Sequence, residues 1–122
     1  MMLVVDAIRR NWLPISALLL TAITILSLWP LATLPDVPGS DKVHHCLAYA
    51  ALILPAALRR PEHWLWLALF FFVWSGAIEL IQPYVNRYGE WADLAANAGG
   101  LLSGMLLGML VNSVDLKRRN LD

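Results

Sequence analysis

Four apolar stretches follow one another along the chain, separated by short polar segments. Prolines, glycines or charged residues stand at their ends, as is typical of helix boundaries. Three of the stretches approach the roughly 20 residues that a helix needs to cross the hydrocarbon core of a bilayer. The pattern predicts an all-α protein with one domain over residues 1–122 and four transmembrane helices in two hairpins, at about 12–34, 41–58, 64–82 and 92–114.

The second stretch differs from the others because polar residues occupy its first turns. Its uninterrupted apolar part runs only from Cys46 to Leu58, which is short for a span. Either the bilayer is thinned at this helix, or His44 and His45 lie below the headgroups and are shielded by protein.

The composition supports burial in lipid. Apolar residues make up 59% of the chain and charged residues 15%, against roughly 45–50% and about 25% in soluble domains. A domain this small cannot hide so much apolar surface in its own core. The formal net charge is zero, so no basic patch indicates nucleic acid as a partner. The single cysteine excludes an internal disulfide and a multi-cysteine metal site.

The distribution of lysine and arginine predicts the orientation. Positive residues concentrate in cytoplasmic segments of membrane proteins. Only Lys42 and Arg87 lie in the two polar loops that we therefore place outside the cell. We expect both termini in the cytoplasm, and a multi-pass protein of the cytoplasmic membrane. The seven remaining cations, all on the predicted cytoplasmic side, are Arg9, Arg10, Arg59, Arg60, Lys117, Arg118 and Arg119.

Polar residues recur at one depth below the predicted outer surface. One helical turn of four residues descends about 6 Å, and three helices carry polar groups about one turn from their outer ends. Asp41 and Asp93 also suit helix N-termini, where a carboxylate is favoured for structural reasons. We predict one outward-opening pocket lined by Asp41, Lys42, His45, Tyr49, Glu79, Gln82, Arg87, Asp93 and Asn97.

Glu79 and His45 are the candidates for chemistry. A charged side chain at the centre of a membrane helix costs roughly 2.5–3.5 kcal/mol, and less near the interface. Glu79 either contacts a ligand or acts as a base, or it only joins helices through an ion pair with Arg87 or Lys42 or a hydrogen bond to Asn97. His45 is either a general base or a metal ligand, or a hydrogen-bond partner of Asp41 or Glu79.

Small residues recur at every fourth position of the last predicted helix, at Ala92, Ala96, Gly100, Gly104 and Gly108. Such a ribbon allows another helix to approach closely. We interpret it as a packing surface. The sequence leaves open whether the neighbour belongs to the same chain or to a second copy in a homodimer.

Two motifs resemble those of the VanZ-like family of small bacterial membrane proteins. The segment D-K-V-H-H-C-L-A-Y-A is similar to the family pattern D-K-x-x-H-x-x-x-Y. The segments E-L-I-Q and D-L-A-A-N-A-G-G-L-L-S-G, with an arginine between them, are similar to E-x-x-Q, R and D-x-x-x-N-x-x-G-x-x-x-G. The resemblance covers roughly residues 36–110. The matching positions are Asp41, Lys42, His45, Tyr49, Glu79, Gln82, Arg87, Asp93, Asn97, Gly100 and Gly104.

The resemblance implies a protein of the bacterial cell envelope. The family takes its name from a protein associated with resistance to the glycopeptide antibiotic teicoplanin, and it implies no particular reaction. We therefore expect the pocket to bind an amphipathic envelope molecule, such as a lipid-linked phosphate or a glycopeptide-related ligand. Membrane lipids are the expected partners and no cofactor is required. If a reaction follows, His45 or Glu79 is the base and Arg87 and Lys42 stabilise phosphate charge.

Two alternatives stay open. The predicted outer side carries five carboxylates against two cations, a balance that also suits a divalent metal held by His45, Glu79 and Asp93. This alternative is a metal-assisted membrane hydrolase. The other alternative is a non-enzymatic membrane scaffold or subunit, in which the polar residues only join the helices.

Overall fold

A computed structural model describes residues 2–29, 41–85 and 90–121. Within these ranges the chain is all-α. The helices are α1 (Met2–Arg10), α2 (Trp12–Leu28), α3 (Asp41–Arg59), α4 (Trp64–Ile81) and α5 (Trp91–Leu121), and a 3-10 turn (Gln82–Val85) follows α4.

Two helices of the described chain are long and apolar enough to cross a membrane. They are α4 with its 3-10 turn, Trp64–Val85, and α5, Trp91–Leu121. The bent pair of α1 and α2 would be a third if it forms one span. The predicted span at 41–58 forms α3 but does not meet the same apolar standard, because polar residues occupy its first turns.

The first predicted span, 12–34, corresponds to α2, which ends at Leu28. Residues 30–34 of the predicted span lie outside the described part of the chain. A separate helix, α1, precedes it at an angle of 77°. Pro14 explains the break, since its ring would clash with the carbonyl group of Arg10 four residues earlier. The side chain of Asn11 donates a hydrogen bond to the carbonyl oxygen of Ala7 at 2.9 Å across the bend.

The last helix continues well beyond the predicted boundary near residue 114. With 31 residues it is about 46 Å long, whereas the hydrocarbon core of a bilayer measures about 30 Å. Residues 115–121, which lie beyond the predicted span, form the final turns of α5. Asp115 is buried there.

The packing of α3 against α5 forms the main interface of the described chain. A Cβ atom added to Gly100 would lie 2.2 Å from the carbonyl oxygen of Cys46, and one added to Gly104 would lie 2.4 Å from that of Ala50. The two helix backbones are therefore so close at these positions that even a Cβ atom does not fit between them. This finding places the neighbour of the small-residue ribbon in the same chain.

The apolar core lies behind this interface. Leu52, Ile53 and Ala56 of α3 pack with Phe71 of α4 and Leu101 of α5. Large apolar side chains on the outer surfaces of α2, α4 and α5 are exposed, Trp66 and Leu106 among them. The helices thus bury the second half of α3 and leave apolar surface on the periphery.

Candidate functional site

Lys42 in the first turn of α3 joins two carboxylates next to the start of α5. Its Nζ lies 2.8 Å from Asp93 Oδ1 and 2.5 Å from Glu90 Oε2. Asp93 is buried, whereas Lys42 and Glu90 are both substantially exposed. Lys42 therefore joins the first turn of α3 to the entrance of α5.

His45 and Asn97 meet one turn deeper in the same interface. The Nδ1 atom of His45 lies 2.9 Å from Oδ1 of Asn97, so a ring N–H donates to the amide oxygen in the tautomer that this bond requires. Asn97 is 1% exposed. This hydrogen bond fixes the orientation of the imidazole ring and satisfies a polar group inside an apolar helix.

Glu79 of α4 reaches the same end of the molecule. Its carboxylate oxygen Oε2 accepts a hydrogen bond from the backbone N–H of Glu90 at 3.1 Å. Glu79 is buried, and it lies close enough to the hydroxyl group of Tyr49 to interact with it electrostatically. Glu79 therefore links the end of α4 to the residue that precedes α5.

Gln82 lies in the 3-10 turn and points towards α2. Its side-chain amide donates to the backbone carbonyl oxygen of Ser27 at 3.1 Å, and the residue is 1% exposed. The Oε1 atom of Gln82 has no hydrogen-bond partner among the described residues. Gln82 thus joins the end of α4 to α2.

The structure brings five of the predicted site residues together with one that the sequence did not indicate. We call this group the Lys42 cluster. The side chain of Asp41 and the whole of Arg87 lie outside the described part of the chain, and Tyr49 and Gln82 border the cluster. The Lys42 cluster consists of Lys42, His45, Glu79, Glu90, Asp93 and Asn97.

A metal site is not formed by the described side chains. No group of three or more histidine, cysteine, aspartate or glutamate residues in 2–29, 41–85 and 90–121 has the geometry to hold an ion. Of the three predicted ligands, Asp93 pairs with Lys42, His45 contacts Asn97, and Glu79 accepts a backbone N–H. The metal-assisted hydrolase therefore has no support from these contacts and stays a prediction.

Sequence reasoning missed the role of Glu90 and a second polar group at the opposite end of the molecule. There, Nη1 of Arg9 lies 3.0 Å from both Asp6 and Asp115, and Nη2 donates to Asn112 at 2.6 Å. Its Nε donates to the carbonyl oxygen of Leu58, at the end of α3, at 3.3 Å. The only sequence signal was that Arg9 and Asp115 both border apolar stretches.

Comparison of the chain with family models, with curated proteins and with solved structures finds no match.

Proposed function

We propose that the protein crosses a bacterial cytoplasmic membrane four times and binds the polar headgroup of an amphipathic envelope molecule at the Lys42 cluster. The convergence of buried polar side chains from α3, α4 and α5 at one end carries this proposal. Buried charges seldom stabilise a protein more than apolar residues of the same size would. A polar cluster in an otherwise apolar bundle therefore favours a binding role.

The four-span topology explains how α3 can occupy a membrane despite its polar first turns. Lys42 is matched by Asp93, and His45 is matched by Asn97, so α5 shields both from hydrocarbon. The apolar surfaces of α2, α4 and α5 face outwards, where lipid would cover them. Under this topology the Lys42 cluster lies on the outer side, and the resemblance to the VanZ-like family is part of the same proposal.

Lys42 is the group best placed to meet an anionic headgroup. The N-termini of α3 and α5 both lie beside it, and their dipoles favour a negative charge at that position. The Lys42 side chain is 42% exposed and its partner Glu90 is 54% exposed. A phosphate oxygen can therefore replace the Glu90 carboxylate, while the buried Asp93 keeps Lys42 in position.

His45 and Glu79 hold the positions from which a base would act if the bound molecule reacts. The bond to Asn97 orients the His45 ring, which a general base requires. The assignment of these two residues to catalysis is a hypothesis, and the binding proposal does not depend on it.

Two variants, each of which removes the charge of one member of the Lys42–Glu90 pair, test the binding proposal. Glu90→Gln removes the competitor for Lys42 and is expected to increase the amount of co-purified phosphate-bearing lipid severalfold. Lys42→Gln is expected to decrease it severalfold. Mass spectrometry of lipids extracted with the purified protein measures both effects, and Lys117→Gln at the far end of α5 is the control. An unchanged lipid profile in both variants would contradict the proposal.

The second candidate function is a non-enzymatic scaffold, which the pairing of the cluster residues with one another favours. The double variant Lys42→Met, Asp93→Leu separates the two candidates, because an apolar pair of similar volume often preserves stability where an ion pair is removed. If the ion pair only joins α3 to α5, the double variant keeps both the thermal stability and the lipid profile of the wild type. If the cluster binds a headgroup, stability is kept and the bound lipid is lost.

A further inference from the structure

A second polar site lies at the end of the molecule opposite the Lys42 cluster. It is an open cavity of about 650 Å³ between α1, the end of α3 and the last turns of α5. We call it the Arg9 cavity. The charged residues that line it are Arg9, Arg59, Arg60, Arg119, Asp6 and Asp115.

The charges of the cavity are only partly balanced. Asp115 is buried and pairs with Arg9 at 3.0 Å and with Arg119 at 3.4 Å, while Asp6 pairs with Arg9 at 3.0 Å. Arg59 and Arg60 are exposed, and neither forms an ion pair with a described carboxylate. Four cations against two anions leave an excess of two positive charges, which these two arginines present at the opening.

The backbone of Arg60 adds an independent observation. Its φ angle is +51°, in the left-handed region where a helix normally ends with glycine. The backbone N–H of Arg60 donates to the carbonyl oxygen of Ala56 at 2.7 Å, as in a left-handed helix cap. An arginine at a position that favours glycine carries a conformational cost, and such costs are concentrated at functional positions.

Apolar residues surround the opening. Met109 and Leu116 line the cavity and are exposed. On α1, Leu3 and Val4 are exposed and Asp6 and Arg9 face the cavity, so α1 is amphipathic. Its 77° angle to α2 places it nearly flat against the membrane in the proposed topology, as in interfacial helices.

We propose that the Arg9 cavity binds the phosphodiester headgroup of an anionic phospholipid of the cytoplasmic leaflet. Arg59 and Arg60 contact the phosphate, since arginine pairs with phosphate oxygens through two N–H groups at once. Met109 and Leu116 contact the upper part of the acyl chains. Basic pockets between helices on the cytoplasmic side are suited to such headgroups. This inference uses the proposed orientation but not the ligand of the Lys42 cluster.

Native mass spectrometry of the whole protein in detergent tests this site, with added dioleoyl phosphatidylglycerol or dioleoyl phosphatidylcholine. The double variant Arg59→Gln, Arg60→Gly removes the two unpaired cations and also relieves the backbone cost at residue 60. The control, Lys117→Gln with Arg118→Gln, removes the same charge from the end of α5 outside the cavity. We expect phosphatidylglycerol to bind the wild type more tightly than phosphatidylcholine does.

The loss of affinity for phosphatidylglycerol should be about fivefold for each cavity arginine, or about 25-fold for the pair, and less than about twofold in the control. The midpoint of thermal unfolding of the cavity variant should equal or exceed that of the wild type. Equal losses of affinity for phosphatidylglycerol in the two double variants would contradict the proposed site. Inorganic phosphate that binds as tightly as phosphatidylglycerol would overturn the lipid assignment. If variants of the Lys42 cluster lose the lipid bound there, the binding of phosphatidylglycerol at the Arg9 cavity should stay unchanged.

Discussion

Asn97 is a polar residue of the apolar helix α5 and belongs to the Lys42 cluster. It is a fully buried amide on α5, and its oxygen contacts the His45 ring at 2.9 Å. A buried amide without a partner would cost about 1–3 kcal/mol, so the hydrogen bond offsets the burial. The same contact fixes the relative position of α3 and α5 one turn below Lys42.

Asn97→Ala is therefore expected to lower the free energy of unfolding by about 1–3 kcal/mol. A double-mutant cycle with His45→Ala should give a coupling energy of roughly 1 kcal/mol, because the two substitutions remove the same interaction. Unfolding in mixed detergent and dodecyl sulfate micelles measures both values. Ser103→Ala is the control, because this exposed hydroxyl group on the same helix donates to the carbonyl oxygen of Gly99 at 2.7 Å, and it should change stability by less than about 0.5 kcal/mol. Strictly additive effects of the two substitutions would show that the contact does not form.

Single residues differ in how far the sequence reveals them. The sequence predicts that Lys42, His45, Asp93 and Asn97 share a site, because they lie within about one helical turn of the predicted outer ends of their helices and so at similar depths. Arg9 and Asp115 were not predicted to meet, since 106 positions separate them and nothing local indicates the pairing. Glu90 lies between two predicted helices, so the sequence pattern does not indicate that its backbone N–H and its carboxylate both belong to the Lys42 cluster.

At the scale of helices, the close approach of α3 and α5 depends on three glycines of the small-residue ribbon. Gly100 and Gly104 face backbone carbonyl groups of α3, and Gly108 faces the Cβ atom of Ala57, which is 2.5 Å from an added Cβ. An added Cβ at Gly104 would also lie 2.6 Å from Cγ2 of Ile53, which is fully buried and therefore has no room to move aside. Gly99, in contrast, has open space within 4 Å of an added Cβ.

Gly100→Ala should consequently separate α3 from α5 and destabilise the protein by about 1–3 kcal/mol, as overpacking does in a tight core. Gly99→Ala should leave stability unchanged or raise it by up to about 1 kcal/mol, because alanine is the better helix former. Thermal unfolding of the two variants in the same detergent compares adjacent positions with the same chemical change. Equal losses of stability would mean that the ribbon does not form the interface.

Helix boundaries show why some elements could be predicted and others not. The predicted ranges 41–58 and 64–82 agree within a residue with α3 and α4, because polar residues and prolines mark their ends. The sequence pattern does not reveal the separate helix α1, because its nine residues are fewer than the roughly 11–18 over which helical periodicity is recognised. Pro14 lies in the first turn of α2 and accounts for a break at that point, whereas the angle of 77° also depends on the contacts of α1 with α2 and α3.

At the scale of the whole molecule, two polar sites lie at opposite ends of one apolar bundle. The first turns of α3 and α5 meet at the Lys42 cluster, and their last turns meet at the Arg9 cavity. The lysine and arginine distribution predicted this separation in part, since it assigned Lys42 and Arg9 to different sides. It did not indicate that each side forms a defined site, because charge counts carry no information on contacts.

The membrane topology is tested most directly by single-cysteine labelling in intact spheroplasts. In a Cys46→Ala background, which removes the only native cysteine, a cysteine replaces either Glu90 or Glu62, both of which have exposed side chains. A membrane-impermeant maleimide should label the cysteine at position 90 in intact spheroplasts, and the cysteine at position 62 only after permeabilisation. Labelling of both positions from the outside, or of position 62 alone, would contradict a membrane protein with the Lys42 cluster on its outer face.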